Sequence, residues 1–215
     1  MIPIVPAFIP KSEVEARETL NTLRFCHEVH LDVVDGLFVS DTSWPYQPTG
    51  QPIKIKQYVE PFSLEVDLMV VDPLQAGVDW VTAGADRLVF HVETVSLENF
   101  KNFEAFTHVS VGVSAHGATP LNQLLEYAEY ADYIQLMGIH EIGAQGQPFD
   151  ETVLDKIATV RAAYPDKSIT IDGSVNEHTI VKLQRAGADR FVVGSAITLQ
   201  PDPAAAHKAL SLLIN

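Results

Sequence analysis

The sequence predicts a single-domain α/β protein, a (β/α)8 TIM barrel spanning residues 1–215. Three observations predict it. Short β-branched runs alternate with longer helical patterns from end to end, the order that yields parallel strands joined by crossover helices. Eight such units fit within 215 residues, at the compact end of the barrel range. The third observation is an internal echo: Ala83-Gly84-Ala85-Asp86-Arg87-Leu88-Val89-Phe90 returns as Ala186-Gly187-Ala188-Asp189-Arg190-Phe191-Val192-Val193. The runs before them match too, Ser63-Leu64-Glu65-Val66-Asp67 against Ser168-Ile169-Thr170-Ile171-Asp172. Nearly half the chain separates the copies, so four units per half are expected, with partners facing each other across the axis.

Strands are expected at 2–7, 28–34, 63–70, 87–91, 109–114, 133–137, 168–172 and 190–194. The second, around Val29-His30-Leu31-Asp32-Val33-Val34, is stopped by the turn dipeptide Asp35-Gly36. Helices are expected at 12–23, 73–83, 97–106, 120–130, 151–164, 177–186 and 203–213, with a weaker one at 53–58. Ser12 with Glu15 forms a capping box, Asp150 precedes the helix at 151, and Asn176 precedes the helix at 177. No Gly-Ser-rich linker or charge block interrupts the pattern, which implies one domain.

Composition narrows the functions. With 47% hydrophobic and 20% charged residues the chain is ordinarily globular. A net charge of −14 repels nucleic acid and anionic membrane surfaces. A phosphorylated ligand would therefore be held by backbone amides and helix starts rather than by cations. The lone Cys26 excludes an internal disulfide and fits a reducing compartment. The first residues, Met1-Ile2-Pro3-Ile4-Val5-Pro6, show neither a signal peptide nor a membrane span, so a cytoplasmic protein is expected.

His30 and Asp32 share one face of an otherwise apolar strand, and burying such a pair is costly unless it is paired or binds a metal. Asp67 and Asp172 project from opposite walls toward the same axis, although Asp172-Gly173 could also be a plain turn. One imidazole and three carboxylates at the strand ends suit a divalent ion such as Mg²⁺, Mn²⁺, Fe²⁺ or Zn²⁺. Two opposed carboxylates can remove a proton from one face of a carbon and return one to the other, inverting a centre beside a carbonyl. Gly143-Ala144-Gln145-Gly146-Gln147, Gly173-Ser174 and Gly194-Ser195 follow the last three strands, where small residues let backbone N–H groups approach a phosphate.

His30-Leu31-Asp32-Val33-Val34-Asp35-Gly36-Leu37-Phe38-Val39 resembles the His-x-Asp-Val-Met-Asp-Gly-x-Phe-Val signature of the ribulose-phosphate 3-epimerase family. Leu68-Met69-Val70, Phe90-His91-Val92-Glu93, Thr119-Pro120, Met137, Gly146-Gln147, Asp172-Gly173-Ser174-Val175-Asn176 and Gly194-Ser195-Ala196-Ile197 follow in the family's order. The resemblance implies metal-dependent proton transfer at C3 of a ketose phosphate through an enediolate. By the same resemblance Asp32 and Asp172 are the acid/base pair and metal ligands, and His30 is a ligand. Met69 and Met137 line the reactive carbon, the glycine turns hold phosphate, and a homo-oligomer is expected. Departures cluster on the substrate side: Asp67 stands where the family has His, Ala7 replaces Ser, Val34 replaces Met, His116 replaces Asn, and the sixth loop lacks Asn-Pro-Gly.

Two alternatives remain open on sequence alone, a different phosphosugar isomerase or lyase and a catalytically silent phosphometabolite-binding barrel. His91 with Glu93, on one strand face, could support the site. His140 and Glu141 either reach substrate from the sixth loop or, as is commoner, lie in a solvated loop, and Trp44-Pro45-Tyr46 could form a lid or subunit contact. Trp80 reads as helix-to-barrel packing and Cys26 as buried filler.

Overall fold

A computed structural model describes residues 2–106 and 108–214; residues 1, 107 and 215 of the expected domain lie outside the described residues. The elements run β1 (Ile4–Phe8), α1 (Glu13–Thr22), β2 (Glu28–Val34), a 3-10 turn (Pro52–Ile55), α2 (Lys56–Val59), β3 (Ser63–Met69), α3 (Pro73–Ala83), β4 (Ala85–His91) and α4 (Leu97–Phe106). They continue through β5 (Ser110–Ser114), α5 (Leu121–Ala128), β6 (Tyr133–Met137), α6 (Thr152–Ala163), β7 (Ser168–Asp172), α7 (Ile180–Ala186), β8 (Arg190–Val193), α8 (Ser195–Thr198) and α9 (Pro203–Ile214). The strands among the described residues pair in parallel in chain order and β8 returns to β1, closing the barrel. In this ring β3 and β7 stand four places apart, so the two halves of the echo do face each other.

Both faces of each strand are buried, as parallel sheets require. In β2 and β3 the outward residues Val29, Leu31, Val33, Leu64, Val66 and Leu68 join the large apolar layer beneath the helices. The inward residues His30, Asp32, Glu65 and Asp67 are polar, and all four are buried. Trp44 and Trp80 meet edge to face at 6.0 Å, and Phe90 stacks edge-on with Phe103 at 4.9 Å.

The echo has a local cause. Gly84 and Gly187 end α3 and α7 at φ +108° and +114°, a conformation that side chains with a Cβ rarely adopt. The aspartate two residues later ties the neighbouring strand: Asp86 accepts from Leu64 N–H at 3.2 Å and Asp189 from Ile169 N–H at 2.8 Å.

Several boundaries differ from expectation. The expected helix at 177–186 begins only at Ile180, because Asn176 accepts from His178 N–H at 2.9 Å and Thr179 Oγ1 donates to Ser174 O at 2.7 Å, forming a turn instead. Ser12 does cap α1, but Glu15 reaches Lys11 N–H at 2.8 Å rather than completing the box on Ser12. Asp150 accepts from Thr152 N–H at 3.0 Å, as its place before α6 suggested. Trp44 is 1% exposed against Trp80, so it is packing and cannot be a lid.

Gly112 on β5 faces Tyr133, whose ring carbons lie 2.3 Å from where a Cβ would stand. Gly112→Ala is therefore expected to destabilise by about 2 kcal/mol through overpacking. Thermal denaturation should show a loss of about 4–8 °C in Tm.

Candidate functional site

The polar inward residues converge at the C-terminal mouth of the barrel. Strand pairing sets Asp32 directly beside Asp67, and Met137 beside Asp172. One ligand atom from each of His30, Asp32, Asp67 and Asp172 lies within 4.8 Å of the others. His30 and Asp67 are fully buried, while Asp32 and Asp172 are 6% and 8% exposed and form the floor of a cavity of about 220 Å³.

Three of these groups, His30, Asp32 and Asp67, are oriented by a neighbour. His30 Nε2 lies 3.0 Å from Asp32 Oδ1, and its Nδ1 is 2.6 Å from Glu65 Oε1. Asp67 is held on both oxygens, by His91 Nε2 at 2.9 Å and by the amide of Gln135, which donates at 2.7 Å. After the strand, Asp35 accepts from Leu37 and Phe38 N–H at 2.8 and 3.0 Å and from Val71 N–H at 2.8 Å, which pins the β2 and β3 loops together.

The electrostatics follow from crowding. Burial raises the pKa of Asp172 well above the usual carboxylate range, and the charge of Asp32 raises it further. Burial also raises Asp32, against the opposing pull of the His30 ring. Burial alone would lower His30, yet the carboxylates of Asp32 and Glu65 hold its pKa well above normal. Among the described residues, no Lys or Arg lines the cavity. One imidazole with three crowded carboxylates is a donor set that fits a divalent cation, which would offset their mutual repulsion.

Apolar side chains and glycine-rich loops both line the cavity. Met69, Met137 and Ile139 line it and pack with Val34 and Ile142. Gly143, Gly146, Gly173, Ser174, Gly194 and Ser195 line it too, bringing the three loops anticipated from sequence to one place, and Gly143 and Gly173 pack against Val34 and Ile139. Ser174 adopts φ +52°, and its hydroxyl donates to Gln147 O, joining the sixth and seventh loops.

The structure adds several lining residues, two of them, Gln145 and Gln147, inside the Gly143-Ala144-Gln145-Gly146-Gln147 run already marked from sequence. Gln145 reaches across the mouth and donates to Ala7 O at 3.2 Å. Ile9, Ile139, Gln147 and Asn176 also line the cavity. Glu65 and Gln135 lie below it; alternation with apolar neighbours was their only signal. Other expectations need correction. Glu93 lies in the turn after β4 rather than on its face, and accepts from His116 N–H at 2.8 Å. Of the two readings of His140 and Glu141 the solvated loop holds: their side chains are 61% and 71% accessible and do not line the cavity.

A sequence model described as the ribulose-phosphate 3 epimerase family matches residues 4–198. The chain is 32% identical over 189 residues to the ribulose-phosphate 3-epimerase of Mycobacterium leprae, covering 85% of this chain and 81% of that one. It is 30% identical over 220 residues to the ribulose-phosphate 3-epimerase of Candida glabrata, covering 87% and 83%. The fold also superposes on the 3-hexulose-6-phosphate synthase of Salmonella typhimurium with a TM-score of 0.72 and 18% identity, covering 100% of this chain and 98% of that one, a likeness of fold alone. From residue 4 to 198 the chain belongs to the ribulose-phosphate 3 epimerase family.

Proposed function

We propose that this protein is a ketose-phosphate 3-epimerase that moves a proton between the two faces of C3 by means of Asp32 and Asp172. The observation that carries the reading is the pair itself: two carboxylates lining one cavity, with ligand oxygens within 4.8 Å of each other and neutral, glycine-rich loops lining the same cavity. The family and its named relatives supply the substrate class, a pentulose phosphate such as ribulose 5-phosphate.

In this reading the ionised aspartate accepts the C3 proton, and the C3–H electron pair moves into the C2–C3 bond as negative charge shifts to the C2 oxygen. The other aspartate, protonated, donates its proton to the opposite face of C3, and the carbonyl re-forms. One acid and one base are needed at once, and the raised pKa of Asp172 favours having a proton there. Met69 and Met137 keep water from the reacting carbon. The phosphate rests against the loops of Gly143, Gly146, Gly173, Ser174, Gly194 and Ser195, where backbone N–H groups substitute for the missing cations.

His30, Asp32, Asp67 and Asp172 would hold a divalent cation, which when bound lowers the cost of negative charge on the sugar oxygens. Three carboxylates and one imidazole favour harder ions, Mg²⁺ and Mn²⁺, over Zn²⁺. Asp67→His should shift the preference toward Zn²⁺. Loading the variant with equimolar Mn²⁺ and Zn²⁺ and measuring the bound metal checks this, and an unchanged ratio would argue against Asp67 as a ligand.

A second reading, a different phosphosugar isomerase or lyase on the same barrel, is favoured by one observation: Gln145 crosses the mouth to Ala7 O. A panel of pentulose and hexulose phosphates, assayed with each metal for the C3 epimer, the aldose isomer and cleavage products, tests both. C3 epimerisation of a ketose phosphate supports the first reading, isomerisation or cleavage without it supports the second, and no turnover of any leaves a binding barrel.

A further inference from the structure

Beneath the carboxylate cluster the barrel interior carries a chain of charges that the proposed reaction does not use. Glu65 on β3 is 0% exposed, and both its oxygens are occupied. Oε1 lies 2.6 Å from His30 Nδ1 and accepts from Arg190 Nη1 at 2.7 Å; Oε2 accepts from Arg87 Nε at 2.9 Å. Arg190 continues to Glu28 at 3.2 Å, and the Arg87 guanidinium lies 4.1 Å over the Tyr133 ring. Four strands, β2, β3, β4 and β8, are thus joined through one carboxylate.

Such a network is an expensive way to fill a barrel, since apolar residues of similar volume usually stabilise as well or better. Its geometry has a definite chemical consequence. Arg190 and Arg87 donate to the two Glu65 oxygens, so the carboxylate stands as an acceptor toward its neighbours. The bond at 2.6 Å therefore places a proton on His30 Nδ1. That leaves Nε2, 3.0 Å from Asp32 Oδ1, as the nitrogen facing the cluster and the one that would have to shed its proton to hold a cation.

We propose that Glu65, held in place by Arg87 and Arg190, is a positioning residue that fixes the His30 proton on Nδ1 and presents Nε2 to the Asp32, Asp67 and Asp172 carboxylates. A carboxylate behind a ligating histidine in this way sets ring orientation and strengthens the ligand. The inference rests on the functional reading above for its catalytic consequence, and on geometry alone for the position of the proton.

The test uses ¹⁵N-histidine NMR of the wild type, without metal and with Zn²⁺ as a diamagnetic probe, together with Zn²⁺ binding, kinetics and Tm of Glu65→Gln. The wild type should show a downfield His30 Nδ1–H resonance in both states, with Nε2 unprotonated once Zn²⁺ is bound. Glu65→Gln should weaken Zn²⁺ binding by about 10- to 100-fold. Its kcat, referred to the folded fraction that the Tm defines, should fall by a similar factor while KM changes less than about twofold. A proton on Nε2 with Nδ1 bare overturns the proposal, and so does a folded Glu65→Gln with wild-type Zn²⁺ affinity and kcat. If that variant does not fold, the wild-type spectrum decides. A wild type that neither binds metal nor turns over any ketose phosphate contradicts the functional reading, and the Nδ1–H resonance still decides where the proton is held.

Discussion

Asp172→Asn is expected to reduce kcat by at least about 10³-fold, near the upper part of the range for loss of a general acid or base. The carboxamide keeps the shape of the side chain but can neither take nor give the C3 proton. Phosphosugar binding should survive, because the glycine loops that would hold the phosphate are untouched. The same substitution should stabilise the metal-free protein. The fold raises the Asp172 pKa, so its protonated form is favoured in the native state. That contribution is fully present below the ordinary carboxylate pKa and is lost as pH rises through the raised one. His30 and His91, whose pKa values are also raised, act in the same direction. The Tm of the metal-free wild type should therefore fall as pH rises from mildly acidic toward neutral and beyond. Asp172→Asn should flatten that fall and gain about 2–4 °C at neutral pH, the shift expected for about 1 kcal/mol in a chain of this length. Calorimetry across a pH series, paired with initial-rate kinetics, checks both halves; a variant that keeps turnover removes Asp172 from the chemistry.

The second large effect is chelation. Removing divalent ions with EDTA should lower turnover by about 10³-fold or more, since a cation at such a site supplies several kcal/mol of charge stabilisation. Mg²⁺ or Mn²⁺ should restore it more fully than Zn²⁺. Metal bound only by the folded state should also raise stability by about 2.7 kcal/mol at a hundredfold excess over Kd. For this chain that corresponds to about 5–11 °C in Tm. Full activity in protein shown to be metal-free would contradict the assignment of His30, Asp32, Asp67 and Asp172 to a cation.

The route from sequence to this site was uneven, for physical reasons. His30 and Asp32 were legible because a period of two within a buried apolar run leaves polar residues nowhere to face but the barrel axis. Asp172 was legible from its place at the C-terminal end of a strand, although the Gly173 after it equally suggested a plain turn. Asp67 gained meaning from the echo with Asp172, which the closed ring sets on the opposite wall, and from standing where the resembled family has His. The charge chain below was not legible. Arg87 and Arg190 occupy equivalent places in the echo, but their common partner Glu65 is 125 residues from Arg190, and nothing local signals that contact. The overlong helix at 177–186 came from weighing Asn176 as a cap without the competing bond of Thr179 to Ser174. Trp44 was misread because a turn-like Trp-Pro-Tyr suggests an exposed loop, whereas Trp80 on α3 offers it an aromatic partner.

The most direct test of two aspartates opposed across one carbon is turnover of ribulose 5-phosphate in D₂O, followed by mass and NMR analysis of the recovered sugars. The prediction is one deuterium at C3 of the epimerised product and none at C1. Product without deuterium at C3, or label appearing at C1, would contradict it.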